Sequence, residues 1–103
     1  MKGKGIVLSF DRDSVINIVS TLCSAYTFYA IVLNREIKKC EDLTQSPNEK
    51  SLEGIYFSLA ECRRLIDMFS STIGMHLPDE FFDTKNACDS LTQKKVKKII
   101  ESY

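Results

Sequence analysis

Residue types able to do chemistry are few in this chain, and they are scattered. His76 is the single histidine, so one copy cannot supply a two-histidine metal site. Set between Gly74 and Pro78, it reads as a turn residue or local cap. Cys23, Cys40, Cys62 and Cys88 form no CxxC pair, which removes the spacing expected of a zinc knuckle or a thioredoxin-type redox couple. Cys23 and Cys62 fall on apolar helical stripes, where a thiol serves as a small hydrophobe. Free thiols of that kind suit a reducing cytoplasm, although an even count also permits the pairings of a secreted framework. The glycine-rich, HExxH and GxSxG signatures of nucleotide, zinc and acyl chemistry are absent. A cysteine–histidine nucleophile pair would need spatial contacts that spacing alone does not give. The expectation is a protein with no catalytic residues, no metal, no cofactor and no small-molecule substrate.

The most suggestive stretch runs from Pro78 to Asp89. Asp79, Glu80, Asp83 and Asp89 stand against the single Lys85, which leaves a local charge of −3 around the adjacent Phe81 and Phe82. Acids around an aromatic anchor suit a basic protein partner: a ring fills a pocket while the carboxylates steer the encounter. The candidate partner-binding set is therefore Asp79, Glu80, Phe81, Phe82, Asp83 and Asp89, joined by Glu41, Asp42 and Glu49 of the other loop. The competing reading is that both rings plug the end of the fold and the acids solubilise the loop.

Two other charged groups have ordinary explanations. Glu61 with Arg64, and Arg63 with Asp67, lie three and four residues apart and satisfy each other on a helix surface. Lys94, Lys95, Lys97 and Lys98 surround Val96 and could neutralise phosphates. No base-reading side chain accompanies them, and they also oppose the dipole near a helix C-terminus.

These groups must be carried by helices. Val15, Val19, Leu22, Tyr26, Tyr29 and Leu33 recur at spacings of four and three, predicting a helix from about Ser14 toward Leu43. A one-residue slip of the stripe after Leu33, together with Asn34, predicts a bend or break there. Asp11, Asp13 and Ser14 are its candidate caps. The segment from Ser14 to Asn34 is uncharged and long enough to cross a bilayer. Interspersed Asn17, Ser20, Thr21, Ser24 and Thr27 instead favour a helix buried by its neighbours in a soluble protein.

Ser46-Pro47-Asn48-Glu49 reads as a capping box with proline at the first helical position. A second helix then carries Leu52, Ile55, Leu59, Cys62, Ile66, Phe69 and Ile73 as an unbroken seam ending at Gly74. Asp79 to Asp83 reads as a short helix and Thr84 to Ala87 as a turn. Ser90-Leu-Thr-Gln93 is a second capping box, opening a helix to about Ser102. Ile6 to Phe10 reads as an N-terminal arm or lead-in.

The 103 residues, with 14 basic and 14 acidic side chains and two prolines, exclude a basic nucleic-acid coat and argue against a turn-rich β fold. The expected architecture is a single all-α domain over residues 1–103, an antiparallel bundle built on a long hairpin with shorter C-terminal helices. The expected function is a cytoplasmic, protein-binding inhibitor or immunity-type protein (an antitoxin in effect) that neutralises a basic partner such as a toxin nuclease. The alternatives are a nucleic-acid-binding regulator using Lys94–Lys98, and a homo-oligomer in which the 52–73 seam pairs with a second copy.

Overall fold

The computed structural model describes residues 9–43 and 49–103, the side chains of residues 49 and 51 excepted. Every regular element among them is helical: α1 (Arg12–Asp42), α2 (Glu49–Thr72), a 3-10 turn (Asp79–Phe82), the single turn α3 (Thr84–Ala87) and α4 (Ser90–Glu101). The capping box at residues 46–49 and the apolar run before Ser9 lie outside the described residues.

α1 begins at Arg12 because Asp11 accepts the amide of Ser14 at 2.7 Å, satisfying one of the orphan donors of the first turn. It then runs unbroken to Asp42, so the break expected near Asn34 does not occur. Asn34 aims its amide away from its own helix, donating to the Thr84 carbonyl at 3.0 Å. A side chain bonded elsewhere does not compete for the backbone bonds of its own turn.

α2 doubles back along α1 and lays its seam against it, with Val19, Ala30 and Ile66 wholly excluded from solvent. Burial of a valine or isoleucine side chain contributes about 1.5–3 kcal/mol. The most buried line of α1 is not quite the expected one. Cys23 and Ala30 lie at its floor, whereas Leu22 and Tyr29 are half-buried. The reason is a second layer: the 3-10 turn, α3 and α4 also pack on α1, pulling its most buried direction round to where all three meet. The residues of the 52–73 seam belong to the chain's own core or pack against it.

Gly74 ends α2 with φ at +68°. The Met75 amide reaches the Ser70 carbonyl at 2.9 Å and the Gly74 amide reaches that of Ser71 at 3.2 Å, a Schellman closure. Met75 is thereby turned into the core, 2% exposed. Tyr103 ties three element ends together: its hydroxyl donates to the Gly74 carbonyl at 3.0 Å, and its backbone oxygen accepts from Arg12 Nε at 3.2 Å.

Two outcomes follow. A methyl group at position 74 would meet nothing within 4 Å, so Gly74→Ala tests the left-handed conformation alone. It should cost about 1–2 kcal/mol in urea unfolding with an unchanged m-value. The Ser14 bond also holds the Asp11 carboxyl below its ordinary value of 3.8. A depressed folded-state value means stability fully present above 3.8 and lost as pH falls through the folded value. Asp11→Ala should thus melt below the parent at neutral pH, and circular dichroism melts at stepped pH should show the gap closing on acidification.

Candidate functional site

Tyr26, at the middle of α1, organises the segment expected to bind a partner. Its ring is 5.3 Å from Phe81 and 5.4 Å from Phe82, centroid to centroid, and its hydroxyl donates to the Phe82 carbonyl. Burial pushes the Tyr26 phenol above its ordinary value, which keeps it a protonated donor. On the far side, the Arg63 guanidinium of α2 lies 4.6 Å over the Phe82 ring, a cation–π contact. Residues 79–83 are thus a plug clamped between α1 and α2.

That clamp corrects the candidate set. Phe81 is 1% exposed and belongs to the core, so it cannot enter a partner's pocket. Phe82 is half-buried, with Arg63 over its face. The rings took the plugging role because an aromatic pair contributes far more by leaving water inside its own fold than by waiting on the surface.

The acids are all exposed, but most have structural duties. Asp83 accepts the Lys85 amide at 2.9 Å and caps α3. Asp89 accepts the Thr92 amide at 3.3 Å and its hydroxyl at 3.4 Å, making it, rather than Ser90, the cap of α4. Gln93 accordingly does not close a capping box; its amide donates to the Ala87 carbonyl at 3.1 Å. Glu80 pairs with Lys95 at 3.0 Å. Of the four acids between residues 79 and 89, Asp79 alone has neither a side-chain hydrogen bond nor an ion pair among the described residues. Glu41 and Asp42 are exposed two turns or more beyond Asn34, about 10–12 Å along α1 from its contact with α3. The Glu49 side chain lies outside the described residues.

Acidic stretch and lysine helix, separate features in the sequence, share one corner. Glu80 and Asp89 line a shallow depression with Lys94, Lys95 and Lys98, while Lys97 faces a different groove. The four lysines therefore do not form a single cationic stripe. The surface pairs on α2 form as expected, Arg64 with Glu61 at 2.9 Å and Arg63 with Asp67 at 4.0 Å. The Arg64 hydrogen bond holds the Glu61 carboxyl below its usual range.

One feature escaped the sequence reading. Between α1 and α4 lies a groove of about 430 Å³, floored by Cys23, Phe81 and Val96 and walled on α1 by Ser20, Ser24 and Thr27. The signal was present in that hydroxyl run at spacings of four and three on an otherwise apolar helix. Only the position of α4 turns it into a wall. The Cys23 thiol at the floor is pushed up to about 12, by burial first and the neighbouring Cys62 second, which makes it an inert packing group. Among the described residues no cluster of three or more histidine, cysteine or acidic side chains could hold a metal ion. Comparison with protein-family models, with curated proteins and with solved structures finds no match.

Tyr26→Phe keeps the ring cluster but removes the donor to the Phe82 carbonyl. It should cost about 1–2 kcal/mol in denaturant unfolding, as expected when a part-buried acceptor loses its partner.

Proposed function

We propose that the chain is a small protein-binding inhibitor of the immunity type, which neutralises a basic partner by covering its active surface. The observation that supports this reading is the clamped corner at residues 79–89, where carboxylates stand on a backbone anchored through Tyr26 and Asn34. A carboxylate array already held in place loses little conformational freedom on binding, and that saving is where a small rigid inhibitor gains affinity.

The corner acts through charge and shape. Asp79 and Asp83 offer exposed carboxylates to a partner's arginines or lysines, and Asp89 adds its charge from the cap of α4. Glu80 joins them when an incoming cation displaces Lys95, whose surface pair is worth about 1 kcal/mol or less. Phe82 is half-buried beneath Arg63, and the buried Phe81 supports the corner. The antiparallel bundle serves as a scaffold and no cofactor is involved. All four thiols are free, which suits a reducing cytoplasm.

The test is capture from a lysate of the source cells on the immobilised chain, beside a variant carrying Asp79→Lys and Glu80→Lys. Asp83 and Asp89 are left intact because their substitution would unseat α3 and α4. The expected result is a basic protein held by the parent, released by salt, lost by the variant and inhibited at one-to-one stoichiometry. Retention of the same protein by both chains would remove the corner from the interface. Retention of nucleic acid instead, abolished by Lys94→Glu with Lys98→Glu, would replace this reading with the regulator.

A further inference from the structure

We propose that the groove between α1 and α4 binds a free α-amino acid with an apolar side chain, held as its zwitterion. The direction of α4 sets the order of the groove's walls. Arg12 at the start of α1 meets Tyr103 beyond the end of α4, and Asn34 meets Cys88 just before α4 begins. The two helices are therefore antiparallel along the groove. Ser20, Ser24 and Thr27 on α1 run past Glu101, Lys97 and Gln93 on α4, in that order.

The charged end of the groove thus lies beside Ser20 and Ser24, and the uncharged end beside Thr27. Phe81 belongs to the uncharged end, because its ring stands 5.3 Å from that of Tyr26, the residue before Thr27. The floor is closed and apolar, with Cys23, Phe81 and Val96 each 5% exposed or less.

The polar groups of the walls are unspent. Lys97 and Glu101 are four apart on α4, the spacing at which opposite charges ordinarily pair. The ion pairs among the described residues are Arg63–Asp67, Arg64–Glu61 and Lys95–Glu80, so both charges stand exposed without an ionic partner there. The hydroxyls of Ser20, Ser24 and Thr27 make no hydrogen bond among the described residues, whereas those of Ser70, Ser71 and Thr72 turn back onto their own helix. The α1 hydroxyls remain available as donors and acceptors. Gln93 spends its amide on the Ala87 carbonyl and keeps its oxygen for an incoming donor.

The ligand follows from that inventory. A volume of about 430 Å³ falls in the range of small-molecule sites. A purely apolar molecule leaves both charges and all three hydroxyls unanswered. A simple carboxylate satisfies Lys97 but brings a like charge toward Glu101, one turn or about 6 Å along the helix. A simple amine does the converse. An amino acid answers both: its carboxylate takes Lys97 and the Ser24 hydroxyl, and its ammonium takes Glu101 and the Ser20 hydroxyl. Its side chain then lies over Cys23 and Val96 toward Phe81, where apolar area leaves water. Cys23 offers packing and no nucleophile, so the amino acid is a ligand rather than a substrate.

Calorimetric titration of the full chain with L-leucine and L-phenylalanine tests this, with amide chemical shifts of the isotope-labelled chain locating the contact. The expected result is saturable binding of at least one, with shifts centred on residues 20–27 and 93–101. Lys97→Gln and Glu101→Gln should each weaken it about tenfold, with circular dichroism unchanged because both side chains are exposed. The deaminated acids and decarboxylated amines of the same two compounds keep one charge each and should bind more weakly. Failure of both amino acids to bind would overturn the proposal. So would a one-charge counterpart that binds as tightly, or an affinity unchanged by Glu101→Gln.

Discussion

Everything in this molecule is arranged around the need to cover α1. A 31-residue helix without a charge between Ser14 and Asn34 cannot stand in water on its own, because its apolar side chains occupy more than one flank. α2 covers one flank with a continuous seam. The 3-10 turn, α3 and α4 cover a second with a patchwork of short pieces, and that patchwork depends on α1 for its geometry. Tyr26 and Asn34 reach from the helix to donate to the carbonyls of Phe82 and Thr84, the second of which has locally only the weak donor of the Cys88 thiol at 3.5 Å.

The charged residues follow from the same arrangement. Short helical pieces have many ends and few internal bonds, so the first turns of α3 and α4 draw on side-chain partners. Asp83 and Asp89 supply two of those partners, and Glu80 meets Lys95 of the element that Asp89 starts. An acidic run that looks like a surface message in sequence is therefore in part the capping chemistry of two consecutive short helices. Its outward electrostatics survive, since a capping carboxylate keeps its charge and its exposure. The corner is nonetheless of mixed sign, because α4 brings its lysines alongside.

Much of the fold was legible from periodicity. The α2 seam, its termination at Gly74 and the apolar side of α4 around Val96 rest on interactions within a few residues, and spacing alone carries them. The candidate site was legible only as composition. Which of Phe81 and Phe82 is hidden, and that Arg63 covers the second, depends on contacts between residues far apart in the chain. The continuity of α1 through Asn34 was misread for the same reason. Asn34 looks like a local breaker until Thr84, fifty positions away, gives its amide another partner.

By itself, then, the sequence determined the helical class, the hairpin and the helix-ending glycine, since hydrophobic spacing and backbone conformation are local properties. Tertiary structure alone decided that Cys23 and Ala30 rather than Leu22 and Tyr29 line the deepest part of the core. It also decided that a serine–threonine line walls a groove and that acids and lysines share a corner. Each of those outcomes depends on where a third element lies against α1. A single helix's periodicity shows that a flank must be covered, but it does not say by what, because burial rewards apolar area without regard to its source.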